Sequence, residues 1–507
     1  MTQGYRVTKN VMYNFASQAV LLVLGIVSSP FIIHTLGNDA YGVLAVATAF
    51  IGYLSFLDLG LGASVVKYIS EYSVGERKEE LEKVIRTSFS VYLLMGLVGA
   101  IIIFAFAQTV VTRFMNIPTY LYPTTIGVLY ISGIGFIINM ILSVISSIPV
   151  ALQRMDLTSQ RNILFGFMNI LGTVALLANG QGLQSVVIWN VFTSVIATLA
   201  FILVFIRLLP GVSFKPGFDK RTFITLIKFG GFKFFSSISG QIVFQLDRIL
   251  ISFFLPIAAV TFYVAPVTLV QKGLSALSNV TSAVFPALSE AHGLNNLERT
   301  KELYLKMTKL TVFLMFPISL ILFIFSFQIM QIWLGAEFAS RSSGVLRILS
   351  LGYFITSLSA PASLIVESSG RPNISAFFAG TSALVNLVSA IIFIPKFGIE
   401  GAALALLVNQ VLLVPVFVSL VNRKFVKIYA VTFIEQTYFK PIVAGLVSLP
   451  FSLYLSGLPT STLLSLLAGL LTFGSLYLLT NFTFGTFDKN EITAAFNTLR
   501  IIKRNFK

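Results

Sequence analysis

Residues 183–208, LQSVVIWNVFTSVIATLAFILVFIRL, decide the fold class, because Arg207 is the one charged residue in the stretch. A helix of about 20 mostly apolar residues crosses the hydrocarbon core of a bilayer. The whole chain has this character: of 507 residues, 56% are apolar and 11% are charged, and the mean hydropathy is +0.89. Soluble proteins carry roughly 25% charged residues. The sequence therefore predicts an all-α integral membrane protein.

Segments of this kind recur along the chain, and about 14 of them are long enough to cross a bilayer as helices. They lie near residues 10–34, 41–69, 87–112, 121–151, 158–179, 183–208, 224–255, 258–287, 305–331, 343–366, 374–395, 399–421, 439–457 and 460–482. No cysteine occurs, which excludes disulfides, thiolate metal sites and a cysteine nucleophile. The sequence has 2 histidines, too few for a histidine-rich metal site, so we expect no metal.

The basic residues lie mostly on one side of these segments. When the N-terminus is placed in the cytoplasm, the outer segments contain only Arg113, Arg341 and Lys396 of the 35 lysines and arginines. The positive-inside rule then predicts that both termini are cytoplasmic. The formal net charge of +16 is therefore mainly a signal of topology, and nucleic acid is not an expected partner.

The two halves of the chain resemble each other. When Phe15 is placed on Phe234, nearly the same shift places Asn169 on Asn386. Spans 1–6 thus repeat as spans 7–12 in the same orientation, a pattern typical of transporters whose substrate site lies between two parallel repeats. We therefore expect two six-helix repeats followed by two extra C-terminal helices.

This organisation predicts four regions. They are an N-terminal lobe at 1–215, a C-terminal lobe at 216–430, transmembrane helices 13 and 14 within 431–484, and a basic tail at 485–507. Apolar and basic residues of the tail alternate at helical spacing, which indicates an amphipathic helix on the inner leaflet. A solvated basic tail is the alternative interpretation.

Stripes of polar side chains occur in spans 1, 7 and 8, where polar residues recur every three or four positions and so share one helix face. A charge within a span is costly unless it faces a cavity or a partner, so these faces are predicted to line one positively charged lumen. The candidate substrate-binding residues are Lys272, Arg248, Lys233, Gln241, Gln245, Asn279, Asn14 and Gln18.

Each candidate charge has a structural alternative. Lys233 and Lys67 lie near inner span ends, where a lysine can extend to the interface. Arg248 follows Asp247, and both could belong to a structural ion-pair network. Lys272 lies near the middle of span 8, too deep for easy extension to the interface, and is the strongest candidate for a substrate contact. A lone intramembrane lysine favours an anionic, phosphate-like ligand.

Carboxylates within the spans are the candidates for ion coupling, namely Asp58, Asp247 and Glu367. Asp58 either takes a proton or Na⁺ or pairs with Lys67. We expect no cofactor, and a direction of transport supplied by coupling to H⁺ or Na⁺ or by consumption of the product outside. No Walker A sequence occurs and the loops are too short for a catalytic domain, so an enzyme is not expected.

Five stretches of the sequence are distinctive when taken together. They are LGNDAYG at 36–42, LDLGLG at 57–62, VKYISE at 66–71, QLDRILI at 245–251 and FPALS at 285–289. They resemble the polysaccharide transporters, the Wzx-type oligosaccharide flippases, which share a superfamily with multidrug and toxin extrusion (MATE) transporters and lipid II flippases.

The resemblance implies a V-shaped, MATE-like bundle that moves a polyprenyl-pyrophosphate-linked oligosaccharide from the inner to the outer leaflet by alternating access, for cell-surface polysaccharide synthesis. Spans 13 and 14 would border a groove for the lipid tail. The implied location is a bacterial or archaeal cytoplasmic membrane, with membrane lipids, a glycan polymerase or glycosyltransferases as further partners. Lipid II flippases carry arginines in the first span and this chain has none there, so a glycan other than the peptidoglycan precursor is expected.

Two other functions fit parts of the sequence. A MATE-like, ion-coupled exporter of small organic molecules is disfavoured because the spans contain more bases than acids. A membrane scaffold for glycan assembly that transports nothing is the second. Flux measured in purified liposomes would distinguish both of them from a flippase.

Overall fold

The computed structural model describes residues 3–74, 77–213, 215–456 and 462–487, and everything below refers to these. Within them, the side chains left undescribed are those of 3–16, 55, 74, 232–233, 235–239, 241–242, 244, 275–283, 286, 456 and 462. The described residues form helices, turns and irregular segments, with no β-strand among them. The prediction of an all-helical fold is confirmed.

Sixteen α-helices follow one another along the described chain. They are α1 (Gln3–Leu36), α2 (Asn38–Leu54), α3 (Leu61–Val74), α4 (Lys78–Thr109), α5 (Tyr122–Ala151), α6 (Met155–Ala178), α7 (Leu183–Leu208), α8 (Lys220–Phe254), α9 (Ala258–Gly293), α10 (Leu297–Ile324), α11 (Ser326–Leu334), α12 (Ala336–Ser368), α13 (Pro372–Val421), α14 (Ala430–Ile434), α15 (Lys440–Ser456) and α16 (Thr462–Thr483).

Eleven stretches among the described residues are long and apolar enough to cross a membrane, so the chain is a multi-pass membrane protein. Large apolar side chains such as Val27 and Phe377 are 71% and 78% exposed, as expected for a surface that faces lipid rather than water. α13 contains two helical stretches separated at Gly398, whose φ of 61° and ψ of −139° are not helical. The exact number of 14 spans stays a prediction.

The helices group into two compact units. The first unit comprises Met1–Lys272 and Arg371–Asn409, and the second comprises Gly273–Gly370 and Gln410–Lys507. The lobe boundaries expected from the sequence stay predictions.

In the second unit, the C-terminal helices α15 and α16 pack side by side against α10. The Ser452 hydroxyl of α15 donates to the Gly469 carbonyl of α16, with an O–O distance of 2.8 Å. The Tyr477 hydroxyl of α16 donates to the Phe313 carbonyl of α10 at 3.0 Å. These side chains supply hydrogen bonds between helices where no water is available.

The second predicted span, 41–69, is interrupted in the first unit. α2 ends at Leu54, a 3₁₀ turn covers Ser55–Asp58, and α3 begins at Leu61. Leu59 and Gly60 between them have positive φ values of 51° and 69°. The Asp58 carboxylate accepts hydrogen bonds from the Tyr92 hydroxyl and from the backbone N–H of Gly62 in the first turn of α3. Asp58 therefore satisfies a backbone donor, the N–H of Gly62, that the break leaves without a helical partner.

The break lies where α3 meets α8 backbone to backbone. A Cβ atom added at Gly60 would lie 2.2 Å from the Gly230 carbonyl oxygen, and one added at Gly230 would lie 2.6 Å from the Gly60 carbonyl oxygen. One turn further along α3, the Ser64 hydroxyl donates to the Leu226 carbonyl at 2.7 Å. Glycine is required here because only a residue without Cβ permits this approach.

The connection from α7 to α8 is bonded to α4. The Arg86 guanidinium of α4 donates to the Lys215 carbonyl at 3.1 Å. The Ser90 hydroxyl of α4 donates to the Gly217 carbonyl at 3.0 Å and accepts from the Gly217 N–H at 2.9 Å. The connection is thus held to α4 by hydrogen bonds at residues 215 and 217.

Candidate functional site

The first unit contains a cavity of about 480 Å³ between α1, α6, α7 and α9. This is within the size range of small-molecule sites. Leu21 and Gly25 line it on α1, together with apolar side chains of α6 and α7. Its polar lining consists of Arg161, Asn162, Asn169, Thr193, Ser194 and Lys272.

Two glycines of α6 allow the neighbouring helices to pack closely beside this cavity. A Cβ at Gly166 would lie 2.3 Å from the side chain of Leu21 on α1, and one at Gly172 would lie 2.0 Å from the Trp189 ring on α7. Small residues commonly serve this purpose between membrane helices. They fix the helices that carry the polar lining.

Arg161 projects from the second turn of α6 and is partly buried. Its Nη1 donates to the Asn162 side-chain oxygen at 3.2 Å, and its guanidinium carbon lies 5.5 Å from the centre of the Phe201 ring. Its Nε is buried and has no hydrogen-bond acceptor among the described residues. Arginine has five N–H donors, so this side chain can make further hydrogen bonds, beginning with Nε.

Lys272 lines the same cavity from α9 and is also partly buried. Among the described side chains, no acidic residue lines this cavity. Two uncompensated positive charges in a low-dielectric surrounding are unfavourable, and an anionic ligand would relieve that cost. The cavity therefore has the electrostatic character of an anion site.

An amide network forms the wall between α6 and α7. The Asn169 amide nitrogen donates to the Asn190 side-chain oxygen and to the Thr193 hydroxyl at 3.2 Å. The Ser194 hydroxyl donates to the Asn190 carbonyl at 3.0 Å. This network orients amide and hydroxyl groups that can exchange hydrogen bonds with a polar ligand.

A second polar cluster in the first unit is centred on Asp247 of α8, which is 4% exposed. Its Oδ2 accepts a hydrogen bond of 2.5 Å from the Tyr263 hydroxyl of α9. Asn386 of α13 lies beside the carboxylate and is fully buried. The nearby Tyr53 hydroxyl is buried and has no hydrogen-bond partner among the described residues.

The candidates that the sequence grouped in one lumen do not all line this cavity. Lys272 lines the cavity, whereas Gln245 and Arg248 do not. Both of the latter have a buried polar atom, Oε1 and Nε respectively, without a hydrogen bond to a described residue. Arg248 and Asp247 form no ion pair with each other within the described part of the chain, and Asp247 bonds to Tyr263 instead.

The remaining candidates occupy other places. Gln18 is exposed on α1, and Glu367 is exposed near the end of α12 in the second unit. Lys67 does not pair with Asp58; its Nζ lies 4.4 Å from the ring centres of Tyr68 and Phe229. The side chains of Asn14, Lys233, Gln241 and Asn279 lie outside the described residues.

Arg161 was not among the candidates predicted from the sequence, because it lies close to the inner end of span 5, among the basic residues that indicate the topology. A signal for it was present. Arg161, Phe165 and Asn169 recur at intervals of four residues, which places them on one helix face, and all three line the cavity.

The fold defines the class of this molecule as a multi-pass helical membrane protein, and it is similar to the folds of a lipid II flippase and of a MATE transporter. The structure titled "Lipid II flippase MurJ, inward closed conformation" has a TM-score of 0.76 at 17% identity, covering 94% of this chain and 98% of that one. An inward-facing MATE multidrug transporter has a TM-score of 0.69 at 15% identity, covering 82% and 94%.

The family follows from the sequence comparisons. The family model described as "Polysaccharide biosynthesis protein" matches residues 7–292, more than half of the chain, and the MatE model matches residues 234–392. The chain therefore belongs to the polysaccharide biosynthesis protein family, and the resemblance to Wzx-type flippases is confirmed.

Two relatives have names that bear on function. "Putative O-antigen transporter" from Shigella flexneri is 24% identical over 419 residues, covering 80% of this chain and 95% of that protein. "Probable low-salt glycan biosynthesis flippase Agl15" from Haloferax volcanii is 25% identical over 276 residues, covering 54% and 57%.

Proposed function

We propose that this protein is a flippase that moves a polyprenyl-diphosphate-linked oligosaccharide from the inner to the outer leaflet of a cytoplasmic membrane. The observation that carries the proposal is the cavity in which Lys272 and Arg161 meet no acidic side chain among the described lining residues. Family membership and the names of the relatives support the same substrate class.

The charge of the cavity explains how a polar lipid could cross. Diphosphate and sugar groups cannot enter hydrocarbon without a large desolvation cost. Cations held within the membrane offset that cost for the diphosphate, while the amides and hydroxyls of α6 and α7 replace water around the sugar. The polyprenyl tail needs no cavity, because it stays in the lipid phase. An exporter of organic cations would instead need acidic side chains in its cavity.

Transport by this route requires two conformations that open to opposite sides of the membrane. We assign both termini to the cytoplasm, from the distribution of basic residues. A glycan polymerase or glycosyltransferases acting on the same lipid carrier would be functional partners. Transport itself, rather than catalysis, is the activity we propose.

The cluster around Asp247 is the best candidate for ion coupling. Its buried carboxylate lies near the Tyr53 hydroxyl and the Asn386 amide, and these groups offer oxygen atoms to a proton or a small cation. Buried carboxylates within membranes commonly carry protons or ions. Asp58 is a weaker candidate, because its carboxylate is already engaged by Tyr92 and by the start of α3.

The test is lipid flux in proteoliposomes with Lys272→Gln. Removal of the cation is expected to lower the flux of a diphosphate-linked oligosaccharide by about 10-fold or more. Lys228→Gln is the matched control, because Lys228 is exposed on α8 and does not line the cavity. If purified wild-type protein moves no lipid-linked glycan, or if Lys272→Gln retains full flux when normally folded, the proposal is wrong.

A further inference from the structure

Two contacts orient the Arg161 guanidinium and leave one of its buried donors without a partner among the described residues. The ring of Phe201 packs at 5.5 Å from its guanidinium carbon, and Asn162 accepts a hydrogen bond from Nη1 at 3.2 Å. These two contacts hold the plane of the guanidinium. Its buried Nε is left without an acceptor in the described structure, although a buried N–H group without a partner is destabilising.

A phosphate oxygen would complete these contacts. The planar guanidinium presents parallel N–H donors that match two oxygens of one phosphate. Lys272 is different in kind, since its ammonium is a compact point charge with three donors. The two cations come from different helices, α6 and α9, and line one cavity. This combination offers separate cationic partners to two neighbouring phosphates.

We propose that Arg161 is the primary phosphate-binding residue of the cavity and that, together with Lys272, it makes the cavity selective for diphosphate over monophosphate groups. This inference rests on the proposed function, which it deepens by assigning the residue that selects the headgroup. A monophosphate can engage one of the two cations fully, whereas a diphosphate engages both at once.

The experiment measures binding and flux with two synthetic lipids that carry the same polyprenyl chain and the same sugar, joined by a diphosphate or a monophosphate. The purified full-length protein in liposomes is compared with Arg161→Gln, Arg161→Lys and Arg154→Gln. Arg154 is the matched control, since it lies at the start of α6, is half-exposed and pairs with Asp156 at 2.9 Å.

We expect the wild type and Arg154→Gln to bind the diphosphate lipid about 10- to 100-fold more tightly than the monophosphate lipid. In Arg161→Gln this ratio is expected to fall to within about 3-fold of unity, because only Lys272 is left to engage either headgroup. Arg161→Lys keeps the charge but loses the planar fork, so it is also expected to lose most of the selectivity.

The outcomes separate this inference from the proposed function. If the wild type binds and moves both lipids equally well, or if Arg161→Gln retains the wild-type ratio, the role of Arg161 is refuted while the flippase assignment stands. If the wild type moves neither lipid, the proposed function fails and this inference fails with it. Inorganic pyrophosphate serves as the soluble source of the same group. If inorganic pyrophosphate displaces the diphosphate lipid when both are present at equal concentration, a lipid ligand is refuted. If it displaces the lipid only weakly, a lipid ligand is supported.

If the Arg161→Gln variant is misfolded, it will bind neither lipid, and the ratio cannot be read from it. Arg161→Lys and the amide variant Asn162→Ala keep the assay decisive in that case, because both retain the positive charge. Asn162→Ala removes the acceptor that orients Nη1, and we expect it to lower the diphosphate to monophosphate ratio about 3- to 10-fold. An unchanged ratio in both variants would overturn the proposal.

Discussion

The contact between α3 and α8 predicts opposite effects for the same substitution at two adjacent residues. Gly230 faces the backbone of Gly60, and a Cβ at residue 230 would lie 2.6 Å from the Gly60 carbonyl oxygen, 2.9 Å from its carbon and 3.0 Å from the Ser64 hydroxyl oxygen. Gly231 has nothing within 4 Å of the corresponding position. Gly230→Ala should therefore destabilise the protein, and Gly231→Ala should not.

The expected magnitudes follow from two terms. Alanine stabilises a helix interior by about 1 kcal/mol relative to glycine, and this gain applies at both positions. Real Cβ atoms essentially never lie closer than 3.0 Å to such neighbours, and overpacking in a rigid contact costs about 1–3 kcal/mol. Because backbone atoms cannot move aside like a flexible side chain, we take the upper value. Gly230→Ala is then about 2 kcal/mol less stable than wild type, and Gly231→Ala about 1 kcal/mol more stable.

Equilibrium unfolding in mixed detergent micelles measures this difference, followed by helix content and by the fluorescence of Trp189 and Trp333. The difference between the two variants, about 3 kcal/mol, is independent of helix propensity and reports the contact alone. If both alanine variants shift the unfolding free energy in the same direction and by the same amount, the backbone contact between α3 and α8 is refuted.

Three further predictions concern single side chains. Asp247→Asn should abolish the effect of an imposed H⁺ or Na⁺ gradient on flux, whereas Asp58→Asn, which keeps an acceptor for its partners, should preserve that effect. The test is flux measured with and without the gradient. If Asp247→Asn still responds to the gradient, Asp247 is not the coupling residue. Ser64→Ala loses a buried hydrogen bond to Leu226 and should lower the unfolding free energy by about 1 kcal/mol; no loss would mean that this bond contributes nothing. Lys67→Gln removes contacts with two aromatic rings at an exposed position, so it should lower the free energy of unfolding by less than about 1 kcal/mol and leave flux at the wild-type level. A large loss of flux would place Lys67 in the transport path.

Composition and hydropathy were sufficient to predict a multi-pass helical membrane protein, because the requirement to satisfy backbone groups in lipid leaves few alternatives. They were not sufficient to find the break at Leu59–Gly60, which the sequence analysis placed inside one span. The left-handed residues there lie beside the hydrogen bond from Tyr92 to Asp58 and against the backbone of Gly230. Both partners are distant in sequence, and no local pattern identifies them.

The candidate site was predictable to a similar degree. The depth of Lys272 in span 8 singled it out, and the structure places it on a cavity wall; its role as a ligand-binding residue stays a prediction. The grouping of Lys272 with Arg248 relied on helix periodicity. Periodicity shows which residues share a face of one helix, but it does not show which neighbouring helix that face contacts. Arg161 was missed because its proximity to a span end favoured an interfacial role.

The hydrogen bonds from α4 to the connection between α7 and α8 bear on how the chain could be divided. Arg86 and Ser90 bond directly to backbone groups of Lys215 and Gly217, so the connection is fixed to α4 and is not a loose linker. If the chain were expressed as two polypeptides divided within the connection, the two parts would still associate through these hydrogen bonds. Inserting residues into the same connection would disturb its hydrogen bonds with the N-terminal half of α4, so the insertion would not behave as a neutral extension of a loop.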